Sequence, residues 1–392
     1  MTSSARLLDL SRLASRAASP LTGVDRVERA YLSALLASDA RAFGLVRTGV
    51  GFLLLDRSGL QAFDRAITTQ DFGKARLFDR LARRHDPARA KVEGFLRRQA
   101  CARSHKRGLS RLMAGMAGGW YLNVGQTSLR ADVLAALPAT TRKAVMVHDT
   151  IPLDHPGLQT PQAAVKLGKI LDLTAAHADL VITTARTTAQ DVARHLDARG
   201  SRARIVTAPL GVTLAQADPQ ALPAGIDLTA PYFLCLNTLE PRKNHAFLLD
   251  LWEGMGPDAP RLYLVGQRGW MVDDLLTRLG RTTAPVTLLT DLSDGAVAAL
   301  MAGASACLNP SLAEGFGLPA LEAAGRGVPL LCPPLPIWRE LLGDWPVYLG
   351  LDDRYLWEKT IRTLAGEPPQ DRTNIAPLPT WEAHFLAICA AV

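Results

Sequence analysis

Short apolar runs, each followed by a longer Ala-, Leu- and Arg-rich segment, recur along this chain, and that alternation limits its fold more than any other feature. It is the pattern of βα units, in which buried parallel strands are covered by helices. The first half offers ARLLDLS (5–11), GVGFLLLD (49–56), WYLNVG (120–125), KAVMVHD (143–149), DLVITT (179–184) and RIVTAP (204–209) as strands. The second half offers PYFLCLNT (231–238), RLYLVG (261–266), VTLLT (286–290), SACLNP (305–310) and VPLLCP (328–333). This second series restarts after ADPQALPAGIDLTAP (217–231), a Pro-, Ala- and Gly-rich stretch that reads as a linker.

At 392 residues the chain is too long for one ordinary core and suits two domains. Two doubly wound halves bind ligand at the carboxyl ends of their strands, so the expected fold class is α/β with a central cleft. Hydrophobic residues make up 48% and charged residues 21%, without a run of about 18 uncharged apolar residues, so no membrane span is expected. Arginines interrupt every apolar stretch of MTSSARLLDLSRLASRAASP, which lacks the continuous core of a secretory leader; a cytoplasmic location is expected. Cys101, Cys235, Cys307, Cys332 and Cys389 are scattered, with no C-x-x-C pair, and read as buried free thiols. The net charge of +7 is uneven, because residues 74–111 hold thirteen Lys or Arg against three acids.

PSLAEGFGLPALEAAGRGVPLL (310–331) concentrates the chemistry. Pro319 has the fixed φ favoured at a helix start, and Gly325 and Gly327 stop that helix before the next strand. Glu314 then lies on a strand-to-helix loop and Glu322 in the first helical turn. Gly315 and Gly317 allow close backbone approach to a ligand, while the helix N-terminus offers N–H groups to an anion. Taken alone, Glu322 complements a helix dipole and Glu314 is a solvated loop acid. The intervening GFGLPAL argues for more. P-S-L-A-E-G-F-G-L-P-A-L-E-A followed by G-V-P-L resembles the signature of the family 4 retaining nucleotide-sugar glycosyltransferases, P-S-x-x-E-G-F-G-L-P-x-x-E-A and G-x-P-V.

Further segments resemble the same family in order. LNTLEPRKNH (236–245) resembles its E-P-R-K-N element, with Arg242 and Lys243 at a helix start and Asn244 as the expected N-cap. LVGQRGW (264–270) resembles a V-G-x-R-G-W loop whose useful residue is Gly266. In TDLSDG, Asp294 is expected to cap a helix. VHDTIP (147–152) resembles H-D-x-I-P, and TGVDRVERAYL (22–32) resembles a T-G-I-x-R loop in which Gly23 approaches phosphates. Asp25 stands where the common form has glycine. VITTARTTAQDV (181–192) and PLGV (209–212) resemble two more elements, to which no chemistry is assigned.

The resemblance implies the GT-B architecture, two facing Rossmann-like domains with a central cleft. It sets an acceptor-binding domain over 1–216, a nucleotide-sugar-binding domain over 217–377, and a helix over 378–392 returning to the first. It implies a retaining hexosyltransferase of surface-polysaccharide assembly, with GDP-mannose the expected donor and a glycan or lipid-linked acceptor. Glu314, Arg242, Lys243 and His148 would serve catalysis. Glu322, Gly315, Phe316, Gly317, Leu318, Gly266 and Gly23 would hold the donor, and Asp149 would lie on the acceptor side. Arg242 and Lys243 would neutralise the departing diphosphate, Glu314 position the sugar, and Glu322 take the ribose hydroxyls. No Asp-x-Asp occurs in the chain, so no metal and no other cofactor is expected.

The basic segment 74–111, with Leu77, Leu81, Val92, Phe95, Leu96, Leu109 and Leu112 spaced for amphipathic helices, is expected to meet an anionic membrane surface at its inner face, or a lipid diphosphate carrying the growing glycan. The alternative is a solvated cationic face. Three other readings compete. A dinucleotide oxidoreductase needs G-x-G-x-x-G opening a helix, whereas GMAGGW (115–120) precedes a strand. A nucleic-acid binder would interleave aromatics with its arginines, and nucleic acid is not an expected partner. A catalytically inactive glycan- or nucleotide-binding relative would have lost the acids and the Arg-Lys pair that this chain keeps.

Overall fold

In the computed structural model, which describes residues 4–83, 85–126, 128–367 and 377–391, the chain forms two sheets. The first runs in the order β4-β3-β2-β1-β5-β6-β7-β8. Its strands are β1 (Ala5–Asp9), β2 (Arg41–Thr48), β3 (Gly51–Leu55), β4 (Ala102–Ser104), β5 (Trp120–Asn123), β6 (Arg142–Val147), β7 (Leu180–Thr183) and β8 (Arg204–Thr207). The second runs β11-β10-β9-β12-β13-β14 and is parallel throughout. It comprises β9 (Tyr232–Leu236), β10 (Arg261–Val265), β11 (Val286–Leu289), β12 (Ala306–Leu308), β13 (Leu330–Cys332) and β14 (Val347–Tyr348). That order reverses between β9 and β12, and a doubly wound sheet opens a ligand crevice at such a switch point.

Every strand expected from the sequence forms. Three others, β2, β4 and β14, carry no clean apolar signal. In β2, RAFGLVRT, charged residues flank a central glycine. Gly44 is required there because a Cβ would lie 2.6 Å from Leu60 Cδ2 and 2.9 Å from Leu10 Cδ1. β2 turns back into β3 and β3 pairs with β4, both antiparallel, so the first sheet is mixed at this edge. The cysteines are all free, but Cys101 and Cys389 are exposed rather than buried. Neither finds a place in an apolar core, since one follows a surface helix and the other ends the last helix.

The two sheets are tied by named contacts as well as by a continuous apolar cluster that runs from Leu8 through Leu210 and Phe316 to Trp338 and Ile388. The helix Arg186–Asp197 begins after Ala185, which has no side chain to cap it. Glu340, from the helix Pro336–Leu342 of the second domain, takes that role, accepting from Arg186 N at 2.6 Å, Thr187 N at 2.8 Å and Thr187 Oγ1 at 2.6 Å. The helix Trp381–Cys389 packs against the first domain, where buried His384 bridges elements. Its Nδ1 lies 3.0 Å from the Ala208 carbonyl, which can only accept, so Nε2 accepts from the Tyr31 hydroxyl at 2.8 Å. Val392 falls outside the described residues, as do 368–376 of the second domain, and residues 1–3 and Arg84 and Thr127 of the first.

Replacing Glu340 by Ala leaves the N–H groups of a helix start without their acceptor, which typically costs about 1–2 kcal/mol. Chemical denaturation is expected to show that loss. Ala185→Ser, which places a hydroxyl at the cap of an extended residue, should recover part of it in the Glu340→Ala background. An unchanged denaturation midpoint for Glu340→Ala would show that the clamp contributes nothing to folding.

Candidate functional site

The loop after β12 and the turn Pro241–Lys243 after β9 meet at the carboxyl ends of adjacent strands, and the backbone joins them first: Leu312 N donates to Arg242 O at 2.8 Å. Their side chains then form one ionic cluster. Glu314 Oε1 accepts from Arg242 Nη1 at 3.3 Å, its Oε2 pairs with Lys243 Nζ, and Arg242 Nε lies 2.7 Å from Glu240 Oε1. Glu240, Lys243 and the Glu314 side chain are all buried. Burial alone would push the Glu314 carboxyl up. The Lys243 and Arg242 charges outweigh it and hold the carboxyl at about 2. Glu314 is therefore a permanently ionised, weakly basic carboxylate gripped by two cations.

The glycines of GFGLP serve the protein itself. A Cβ on Gly315 would lie 2.9 Å from Asp149 Cβ, and the Gly315 carbonyl accepts from Thr188 Oγ1 at 3.2 Å. Gly317 has φ of 80°, and a Cβ there would meet the Trp338 ring at 2.1 Å. On the side where a Cβ would project, these glycines thus pack against the facing domain and Trp338, while the same loop also lines the open cleft. The helix starts at Leu318, one residue before Pro319, which sets Glu322 beyond the first turn. Glu322 accepts from Arg26 Nη1 at 3.0 Å, and Arg26 Nη2 reaches Asp294 Oδ1 at 2.6 Å. The expected donor-side acid thus bridges to the helix Gly23–Ala37 of the opposite domain. Burial raises the Glu322 carboxyl, with Arg26 opposing.

One capping expectation is narrowed and one corrected. Asn244 does stand at the N-cap of the helix His245–Met255, but in the left-handed region, φ 56°, and its side chain makes no cap hydrogen bond. Ser293, not Asp294, caps the helix Asp294–Gly303, accepting from Ala296 N at 3.2 Å, which frees Asp294 for Arg26. Asp25 is explained as well: it accepts from Thr22 N at 3.0 Å in a capping box and pairs with Arg12 at 2.8 Å.

All the singled-out residues line one cleft of about 560 Å³ between the domains: Gly23, His148, Asp149, Arg242, Lys243, Gly266, Glu322 and the run from Glu314 to Leu318. Gly266 is needed for contact with Asn237, whose carbonyl oxygen would lie 2.0 Å from a Cβ; Gly23 has ordinary room, 3.7 Å from Leu318. His148 Nε2 lies 2.7 Å from the Val124 carbonyl and so carries the proton. Burial lowers its pKa from 6.5 to about 4, leaving Nδ1 an acceptor near neutral pH. Burial pushes the Asp149 carboxyl up, with Arg242 opposing and Glu314 adding. Among the described residues no three His, Cys, Asp or Glu side chains gather as a metal site. Arg12, Arg26, Glu240 and Trp270 also line the cleft and were not singled out, although Arg26 is the arginine of the T-G-x-x-R pattern.

A lowered histidine pKa means that the fold prefers the neutral ring. His148 therefore contributes stability above pH 6.5, and that contribution, on the order of 3 kcal/mol, is lost as pH falls from 6.5 through about 4. Its Cε1–H resonance is expected to titrate near 4, and His148→Gln should flatten that part of the stability profile. A midpoint at 6.5 would overturn the buried neutral ring.

Three comparisons bear on this site. Residues 230–358 match the family model described as glycosyl transferases group 1. The serotype-specific mannosyltransferase WbdA of Escherichia coli is 31% identical over 224 residues, covering 52% of this chain but 27% of that protein. The O-antigen chain mannosyltransferase B of Escherichia coli is 37% identical over 119 residues, 29% of this chain and 31% of that protein. The chain thus spans only about a quarter to a third of these relatives. Among solved structures, sucrose-phosphate synthase of Thermosynechococcus elongatus superposes with a TM-score of 0.61 at 14% identity, over 99% of this chain and 98% of that one. Anabaena HepE in complex with UDP-glucose gives 0.60 at 17% identity, over 97% and 94%. These likenesses establish the GT-B fold over nearly the whole chain. Arg242, Lys243, Glu314 and Glu322 all fall within residues 230–358, the part of the chain that matches the group 1 glycosyl transferase model.

Proposed function

We propose that this protein is a retaining, metal-independent glycosyltransferase that moves a hexose, mannose first, from a nucleotide-diphosphate sugar such as GDP-mannose to a glycan or lipid-linked acceptor of a surface polysaccharide. The observation that carries this reading is the buried Glu314–Arg242–Lys243 cluster at the cleft, within the group 1 domain. Breaking a sugar–diphosphate bond develops negative charge on the leaving group, and two fixed cations at a strand end stabilise it without reorganisation. The mannosyltransferase names of the relatives support the choice of sugar.

Glu314 positions rather than attacks. A carboxylate held at about 2 by two cations is a poor nucleophile, so a front-face reaction in which the leaving phosphate assists the acceptor hydroxyl fits better than a glycosyl-enzyme. His148 offers Nδ1 as an acceptor to a sugar hydroxyl, and Asp149 faces the acceptor side. Ribose hydroxyls compete with Arg26 for Glu322, coupling donor binding to the contact between domains.

A thermal-shift and hydrolysis panel of nucleotide sugars, run with and without EDTA, tests the reading. A shift with GDP-mannose that survives EDTA is expected, and turnover that needs a divalent metal would sink metal independence. Glu314→Gln is expected to lower turnover on the order of a hundredfold, whereas Glu322→Gln weakens nucleotide binding about tenfold. Equal effects of the two would undo the division of roles, and a trapped Glu314 adduct would overturn the mechanism.

The basic segment supports docking at an anionic membrane surface, by fewer residues than the sequence spacing suggested. Val92, Leu96 and Leu109 belong to the core, while Leu77, Phe78 and Leu81 on the short helix Leu77–Ala82 are 75%, 56% and 66% exposed beside Arg76 and Arg80. Among the described residues no helix is long and apolar enough to cross a membrane. Sedimentation with phosphatidylglycerol vesicles, compared with phosphatidylcholine alone, should show binding that Leu77→Asp with Leu81→Asp abolishes. Equal binding to both lipids would remove the role of charge.

A further inference from the structure

A second concave site lies on the first domain, beside the cleft. The helix Ser11–Arg16 carries Arg12 and Arg16 one turn apart, and β2 sets Arg47 next to them, its N–H donating to Ser11 Oγ at 3.0 Å. Arg89 arrives on the helix Pro87–Gln99 and Arg130 from the residue before the helix Ala131–Ala136. Together they surround a depression of about 300 Å³. Arg12 lines both this depression and the central cleft, so the two adjoin.

The positive charge there is under-compensated. Asp25 is shared by Arg12 and Arg16, Glu93 by Arg83 and Arg89, and Asp132 by Arg130 and Lys106. Arg47 pairs with no carboxylate among the described residues. Two buried carboxyls of the same domain, Asp9 and Glu28, are each pushed up by burial. Ser128, which also lines the pocket, accepts from Asn123 Nδ2 at 3.1 Å and bonds the Asp9 carboxyl. Converging guanidiniums repel one another in the absence of an anion, and their planar forks match phosphate oxygens two at a time.

We propose that this arginine pocket binds a phosphate- or diphosphate-bearing group of the acceptor, so that the sugar end of the acceptor passes Arg12 into the cleft. The assignment rests on the transferase reading above, with the first domain on the acceptor side. It names the acceptor's anionic anchor, which nothing in the donor site supplies. The same chemistry occurs in a lipid diphosphate and in a free phosphorylated glycan.

Calorimetric titration of the full chain with inorganic pyrophosphate is the test. Two binding events are expected, one at Arg242 and Lys243 and one in the pocket. Arg47→Ala should weaken one event at least tenfold and leave the other, and Arg47→Lys, which keeps the charge but loses the fork, should recover it in part. Since Arg47 is exposed and holds no buried partner, folding is not at stake. Isotherms unchanged in both Arg47→Ala and the Arg16→Ala, Arg47→Ala double variant would overturn the proposal. Farnesyl diphosphate in detergent micelles separates the sources: tighter binding than pyrophosphate points to a lipid-borne acceptor, and equal binding to a water-soluble one, both with the pocket intact. Nucleotide-sugar hydrolysis by the unaltered chain is read separately. Hydrolysis without pocket binding removes this inference alone, whereas pocket binding without hydrolysis of any nucleotide sugar removes the transferase reading and the pocket's acceptor role with it, leaving an anion site.

Discussion

The site depends on one buried carboxylate held between two cations. Removing Lys243, Arg242 and Glu314 from water is costly for each charge singly, and their mutual attraction compensates only because both oxygens of Glu314 are engaged. Two strand-end loops, one after β9 and one after β12, must therefore close on each other for either to be stable. That closure aims the cationic groups at the cleft from rigid strand ends. A site built in this way loses little to reorganisation when charge develops on a bound diphosphate.

The two domains hold each other by groups that each lacks alone. Glu340 completes a helix start for which Ala185 has no side chain, Thr188 meets the carbonyl of Gly315, and Arg26 spans to Glu322 and Asp294. The first two contacts border the Glu314–Leu318 loop, and the third sits on Glu322, the acid proposed to meet the donor. The cleft is thus the seam of the fold as well as the place proposed for its chemistry, and ligands that compete for Arg26 or Glu322 act on the interdomain contact directly. Charge follows a similar division: cations buried in the cleft are matched by acids, whereas those of the arginine pocket share too few.

Much of the fold was legible because buried strands leave continuous apolar runs, and eleven of these runs, ten in parallel strands and one in antiparallel β3, can be read directly from the chain. β2 escaped notice because its central position is a glycine, demanded by Leu60 and Leu10, and its ends are charged. β4 and β14 are too short to show a period. Among site residues, Glu314 and Glu322 stood out because P-S-L-A-E-G-F-G-L-P-A-L-E-A resembles a glycosyltransferase signature, and Arg242 and Lys243 because E-P-R-K-N resembles an element of the same family. Arg12 and Arg26 did not, since an arginine in an amphipathic helix is ordinary until the facing domain is in place.

By itself the sequence determined the α/β alternation and the excess of base in 74–111, since these follow from local periodicity and residue type, whereas the chemistry assigned to E-P-R-K-N and E-G-F-G-L-P came from their resemblance to a known family. Only the tertiary structure decided what those residues meet. It packed the glycines of GFGLP against Asp149 and Trp338 as well as lining the cleft with them, moved the cap from Asp294 to Ser293, and gave Glu322 a partner from the other domain. It also drew Arg12, Arg16, Arg47, Arg89 and Arg130 into one pocket. The reason is physical: periodicity is a property of neighbours along the chain, whereas burial, ion pairing and steric need for glycine depend on groups that folding brings from far away.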